Sequence, residues 1–330
     1  MAELEYDVVG IGNAIVDILG RCTDQFLLQH GAAKGSMRLV DADTVRGLYD
    51  AMGPAVEISG GSVANTMVGI ASFGGRSAFI GKVAEDEFGK IFAHDIRAAG
   101  VTYTTPPSRT GEPTARSLIL VTPDGERTMN TFLGVSPLLN QGEVDPDLIR
   151  SAGIVYLEGY LFDRPEAKAA FRQAANIAVK AGRRVALSLS DAFCVDRHRA
   201  EFLDFIRGQV DILFANESEI MALYQTKSFE EATRRARVDA ELLAVTRSEK
   251  GSVIFSDGKA TSIAPAPLRT VVDTTGAGDL YAAGFLYGLA SGKTLEVSGR
   301  LGSLAASHTI SHMGARPEVP LAQLAAANGL

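Results

Sequence analysis

The 330-residue chain is 46% hydrophobic and carries a formal net charge of −7, ample for a large core and too acidic for a general affinity for nucleic acid or an anionic membrane. Its two cysteines, Cys22 and Cys194, form neither a C-x-x-C nor a zinc spacing, which excludes a disulfide framework or structural metal cluster and points to a cytoplasmic protein. No apolar run approaches the roughly 18 residues of a membrane helix, and M-A-E-L-E-Y-D has no basic leader, so the expected partner is a small molecule.

Residues 7–19, D-V-V-G-I-G-N-A-I-V-D-I-L, read as one buried strand that passes two glycines and emerges with the polar Asn13 and Asp17. Ile15 stands where a dinucleotide fingerprint needs its third glycine, which excludes a Rossmann cofactor site. In I-S-G-G-S-V-A-N-T, Gly60 and Gly61 let a ligand approach the backbone, Ser62 is placed to cap, and a helix is expected over 63–73. Asn65 falls on its first turn, where the amide serves either vicinal hydroxyls or the local backbone. A strand over 77–83 leads to a helix that stops at Gly100. Residues 114–121 and 126–133 flank T-P-D-G and predict a hairpin. Arg127 at its edge reads equally as a ligand contact or a solvated charge.

From residue 154 onward short apolar strands alternate with helices: 154–157 before 165–181, 184–189 before 197–207, and 211–214 before 217–224. Such alternation predicts βαβ units, a parallel sheet with helices on both faces, and ligands beyond the carboxyl ends of the strands. Asn216 and Glu219 fall at one such end, although an acidic helix start is also an ordinary cap. A further strand over 242–246 precedes T-R-S-E-K-G, and 253–255 with 259–263 predict a second hairpin around S-D-G.

Residues 270–289 then read as a strand ending at Asp273, a turn through Gly276, Ala277 and Gly278, and a helix from Asp279. Bare amides at the positive end of a helix hold an anion, and Asp279 beside them can take a proton. A phosphate next to a general base describes phosphoryl transfer; a capped helix start is the alternative. A long helix over 294–312 ends at G-A-R-P. His308 and His312 lack the intervening Glu of a zinc protease, and no G-x-x-x-x-G-K-[ST] of a P-loop kinase is present.

The strings D-T-T-G-A-G-D-L-Y-A-A-G-F-L and G-G-S-V-A-N-T resemble the two signatures of the ribokinase-like (PfkB) small-molecule kinases, in the family's order. With G-N-A-I-V-D-I, L-S-L-S-D-A-F and N-E-S-E the resemblance runs from Gly10 to Pro317 and leans toward the adenosine kinase branch. It implies a ribokinase-like α/β fold, a central mostly parallel sheet with helices on both faces. It also implies one kinase domain over 1–330, with a small β lid from about 13–40 and 103–135 that covers the acceptor and excludes water.

The resemblance further implies ATP and Mg2+ and, in many relatives, K+ near the G-A-R-P loop. Asp279 becomes the catalytic base beside Gly276, Ala277 and Gly278, while Asn13, Asp17, Gly60, Gly61, Asn65 and Arg127 surround the acceptor. Tyr160 is the nearest candidate to stack on a base, or a simple core or surface tyrosine. Asn216, Thr246, Ser248 and Gly251, with Gly276 and Gly278, line ATP, and Glu219 positions Mg2+. Ser248 departs from the family's T-x-G-x-x-G by placing a side chain where backbone is usually bare. The expected reaction is phosphorylation of a primary hydroxyl on a ribose-containing molecule, adenosine first, by a monomer or homodimer. A kinase of ribose, fructose or a keto-deoxy sugar acid is the alternative in the same class. A non-catalytic nucleoside-binding protein is the alternative in another class, disfavoured by the intact G-A-G-D.

Overall fold

The structure is a computed structural model that describes residues 4–109, 111–268 and 270–330. Its first half runs β1 (Tyr6–Ile11), β2 (Ile15–Arg21), α1 (Asp24–Gln29), β3 (Met37–Leu39), α2 (Ala42–Ala51), β4 (Ala55–Gly60), α3 (Ser62–Ser72), β5 (Ser77–Ile80), α4 (Glu87–Ala98), β6 (Thr102–Tyr103), β7 (Ala115–Val121) and β8 (Arg127–Phe132). The chain continues through α5 (Pro146–Arg150), β9 (Ala152–Glu158), α6 (Pro165–Lys180), β10 (Arg184–Ser188), α7 (Ala192–Gln209), β11 (Ile212–Asn216), α8 (Glu217–Tyr224) and α9 (Phe229–Asp239). It closes with β12 (Leu242–Thr246), β13 (Ser252–Ser256), β14 (Lys259–Ile263), α10 (Ala277–Ala290), α11 (Leu295–Thr309) and α12 (Leu321–Ala327).

The near-continuous apolar runs of the central strands need cover on both faces, and they receive it. A nine-stranded sheet has the order β14-β13-β12-β11-β10-β9-β1-β5-β6, parallel from β12 to β6 and antiparallel at the β12-β13-β14 edge. Alternate residues face opposite cores: Val9, Ile11, Val155 and Leu157 pack with α6 to α9, whereas Val8, Ile154 and Tyr156 pack with α3, α10 and α11. In α6 the fully buried Ala167, Ala170, Phe171, Ala174, Ala175 and Ala178 repeat at helical spacing, and five small side chains let the helix lie close on the sheet. All parallel strands present their carboxyl ends to one edge, where the loops after β1, β9, β10, β11 and β12 gather.

A second, five-stranded sheet has the order β3-β8-β7-β2-β4. The hairpin β7-β8 forms as expected, with Val121 opposite Arg127. Strand β4 lies outside the 13–40 and 103–135 segments from which this sheet was expected, and β6 joins the large sheet instead.

Two further expectations are corrected. Residues 7–19 are not one strand but β1 in the large sheet and β2 in the small one, because Asn13 turns inward at the break to bond Glu158. Residues 270–273 form no strand: Val271 and Val272 are exposed, and the N–H groups of Val272 and Asp273 donate to the Ile310 carbonyl. Helix α7 begins earlier than expected, where Asp191 caps Cys194 N–H, and it kinks at His198. Among the described residues no helix is long and apolar enough to cross a membrane.

Candidate active site

Two helix starts meet at the carboxyl edge of the sheet. Strand β4 enters α3 through Gly61, at φ +102°, where an added Cβ would strike the Asn13 carbonyl oxygen. The 276–278 turn enters α10 through Gly276, at φ +76°, where a Cβ would strike Ala315. No side chain caps the first turn of α10; Ala277 N–H donates to the Thr274 carbonyl at 3.2 Å, and the remaining first-turn amides have no side-chain cap.

Asp279 lies where the two helices face one another. Ser62 Oγ donates to its Oδ1 at 2.7 Å, Asn65 Nδ2 donates to its Oδ2 at 3.0 Å, and Thr66 Oγ1 donates to its backbone carbonyl at 3.1 Å. Burial pushes the Asp279 carboxyl above the ordinary range, while the Asn65 and Ser62 hydrogen bonds and the charge of Arg316 pull it back. Asn65 Oδ1 is buried with no donor among the described residues, an acceptor left unsatisfied beside Asp279.

Asp17, on β2, joins the same electrostatic pocket. Its carboxylate lies against Gly60, where a Cβ would displace it. Burial raises it to about 7, opposed by Arg316 and Arg127 and reinforced by Asp279. Arg316 is half-buried and donates to the Ser59 and Ala64 carbonyls and, at 2.8 Å, to Ser59 Oγ. Desolvation lowers it to about 10, the Asp95, Asp17 and Asp279 charges acting in its favour. It thus ties the loop after α11 to the approach of the Gly60 turn. Arg127, expected beside the acceptor, places Nη1 2.5 Å from Asp273 Oδ2, and its charge also acts on Asp17.

Asn13 is buried, and its amide is taken up by protein: Nδ2 donates to Glu158 Oε1 at 2.6 Å, and Ser136 Oγ donates to its Oδ1 at 2.9 Å. Glu158 Oε2 also accepts Asn13 N–H at 3.2 Å and Val63 N–H at 3.1 Å, which raises Asn13 from the expected ligand contact to a strut under α3. Burial lifts Glu158 to about 7. Glu158, Ser62 as a donor to Asp279, Asp273 and Arg316 were not singled out by the sequence reading. For Glu158 a signal exists, a charge ending the apolar run I-V-Y-L-E at a parallel sheet's ligand edge.

A second cluster lies at the ends of β11 and β12, where Asn216 is in register with Thr246. Asn216 and Glu219 form a reciprocal capping box on α8, with Asn216 N–H and Nδ2 donating to Glu219 at 2.9 and 2.6 Å. Glu219 is buried and raised to about 7, first by desolvation. Ser248 adopts φ +51°, so it keeps the left-handed turn that a glycine would take there, and Gly251 follows at φ +79°. Tyr160 sits half-buried in a 3-10 turn after β9; burial raises its phenol, and Asp191, Glu158, Asp279 and Glu219 add to the shift.

The structure brings Asp17, Gly60, Gly61, Asn65 and the 276–279 segment into one cleft, with Arg127 at its border. Asn216, Glu219, Thr246, Ser248 and Gly251 form a neighbouring group on the same edge. Among the described residues no group of three or more His, Cys, Asp or Glu is arranged to hold a metal.

Residues 51–322 match the pfkB family carbohydrate kinases. Two solved structures resemble nearly the whole chain. An adenosine kinase from Sinorhizobium meliloti is 52% identical with TM-score 0.91, covering 99% of this chain and 100% of that one. A probable sugar kinase from Rhizobium etli CFN 42 is 50% identical with TM-score 0.92, covering 99% of each. A probable chloroplastic fructokinase-6 of Arabidopsis thaliana is 33% identical over 79% of this chain and 70% of its own length. The chain therefore belongs to the pfkB carbohydrate kinase family and is an ATP-dependent kinase that acts on an alcohol group.

Proposed function

We propose that the acceptor is adenosine and that its primary hydroxyl receives the γ-phosphoryl of ATP. The observation that carries the chemistry is Asp279, a half-buried carboxylate held by Ser62 and Asn65 beside the start of α10, which no side chain caps. Asp279 takes the hydroxyl proton, the two side-chain donors aim the carboxylate, and the amides at Gly276 and Gly278 receive the charge on the passing phosphoryl, while Ala277 N–H holds the turn through the Thr274 carbonyl. Asp17 and Asn65 Oδ1 accept from the acceptor's hydroxyls, with the Gly60–Gly61 backbone against them. Arg127 borders this pocket, and the second sheet serves as the lid that keeps water out. ATP lies along Asn216, Thr246, Ser248 and Gly251, and Tyr160 flanks the nucleoside base.

Glu219 fits Mg2+ at the nucleotide end: one buried carboxylate is the donor that this ion takes while keeping its waters and phosphate ligands. When bound, the ion neutralises phosphate charge. The 314–317 loop, expected near a potassium site, is tied down by Gly314 N–H on Asp273 and by Arg316, and no step above uses potassium.

The near full-length match to an adenosine kinase favours the nucleoside; the equally long match to a probable sugar kinase keeps a sugar acceptor as the second reading. A purine buries on the order of 150 Å², which at about 25 cal/mol per Å² is a few kcal/mol. After ordering costs this favours adenosine over free ribose by on the order of 10² in kcat/KM. The deciding measurement compares kcat/KM for adenosine, inosine, ribose and fructose under one set of conditions. Equal or higher efficiency with a free sugar transfers the acceptor to the sugars and leaves the role of Asp279 standing.

A further inference from the structure

We propose that Arg127 and Asp273 form a latch through which closure of the second sheet sets the shape of the 276–278 turn, making both of them positioning residues. The catalytic part of this inference rests on the kinase reading above; the conformational part does not.

Asp273 is 3% exposed at its side chain and staples two loops: Oδ1 accepts Thr275 N–H at 3.0 Å, and Oδ2 accepts Gly314 N–H at 3.0 Å. The first bond holds the approach to the turn. The second holds the loop whose Ala315 presses on Gly276. Among the described residues, residues 270–273 have no strand ladder and are held through the shared Ile310 carbonyl, so the Asp273 carboxylate, with the Ala277 N–H bond to the Thr274 carbonyl, fixes the turn.

That carboxylate is neutralised from the other sheet. Arg127 opens β8, which pairs with β7, which pairs in turn with the Asp17 strand β2. Its side chain is 9% exposed, with Nη1 paired by charge to Asp273 Oδ2 at 2.5 Å, and neither Nη1 nor Nη2 makes a well-aligned hydrogen bond among the described residues. Withdrawing the sheet would leave Asp273 buried without its counter-charge, and breaking one side of a buried pair costs far more than the intact pair gains. The sheet and the turn therefore move together. The charge of Asp17 acts on the same guanidinium after that of Asp273.

The test uses the full chain and R127M, R127K, D273N and R127M/D273N. Hydrogen exchange on the protein without substrates is read over residues 115–132 and 270–278. R127M and D273N are expected to speed exchange in both segments at once, and R127K to restore part of the protection. At saturating ATP and acceptor, each single variant is expected to lower kcat by on the order of tenfold or more with a smaller change in KM, and the double variant to be no slower than the worse single one. Should R127M fail to fold, R127K and D273N with their combination carry the same comparison. Exchange changes confined to the strand that carries the substitution, or kcat losses that multiply in the double variant, overturn the latch. A wrong acceptor leaves the exchange result untouched, so the two failures are distinguishable.

Discussion

A base that must be ionised at neutral pH sits here where burial opposes ionisation. Burial raises Asp279, and two neutral donors, Ser62 and Asn65, together with the Arg316 charge, work against that rise. A hydrogen bond to a charged group is worth about 1.5–3 kcal/mol, and about 1.4 kcal/mol moves a pKa by one unit. Ser62→Ala removes a donor that favours the ionised form, so the Asp279 pKa should rise and the acid limb of kcat should move up by on the order of one pH unit. D279N, which has no proton acceptor, sets the floor for the comparison. An acid limb unmoved in S62A sinks this role for Ser62. Asp279, Asp17 and Asn65 were legible in the sequence because each lies in a short motif whose chemistry is local. Ser62 was read as a cap, since its partner is 217 residues away, and Glu158 and Asn13, 145 apart, meet only after the sheet forms.

At the scale of elements, the site is a meeting of two helix starts, each entered through a glycine with positive φ. Gly276 and Gly278 separate conformation from packing within one turn. Gly276 combines φ +76° with the pressure of Ala315, whereas Gly278 lies inside α10 with nothing within 4 Å of an added Cβ. Gly276→Ala should destabilise the protein by about 1–3 kcal/mol or more, and Gly278→Ala should leave it unchanged or stabilise it by up to about 1 kcal/mol. Urea melts of the two variants check this, and equal effects would contradict the geometry. Periodicity made the βαβ half of the chain readable, because buried parallel strands leave uninterrupted apolar runs. It misread residues 7–19, where strands of two different sheets are separated by only three residues, and residues 270–273, whose β-branched side chains face solvent.

Over the whole molecule, the ligand edge concentrates carboxyls that the fold holds partly protonated. Burial raises Asp17, Glu158 and Glu219 to about 7, and Asp279 shifts the same way. Between about pH 4.5 and about pH 7 Asp17, Glu158 and Glu219 each retain a proton in the folded state that the unfolded chain has released, so the folded state binds more protons and stability falls as pH rises. His308 opposes this with one group, since burial lowers its pKa and the unfolded chain then holds the extra proton below about pH 6.5. The depressed carboxyls Asp41, Asp124, Glu217 and Glu230 also act oppositely, losing their stabilisation as pH falls through their folded pKa values, below about pH 4.5. The windows are separate, and three carboxyls raised to about 7 outnumber one histidine. The protein without substrates should therefore be most stable near about pH 5 and weaken toward about pH 7, at up to about 1.4 kcal/mol per pH unit for each uncompensated proton. Asp17→Asn and Glu219→Gln should each flatten that decline by up to one proton's worth, because the titrating group is gone while its shape remains. An acceptor whose hydroxyls donate to Asp17 favours the ionised form, so its stabilising effect should grow from about pH 5 to about pH 7. Urea melts at several pH values, with and without adenosine, measure all three slopes. Stability that rises from about pH 5 to about pH 7 in the absence of substrates, or a slope unchanged in both variants, would show that these carboxyls are ionised in the folded protein throughout that range.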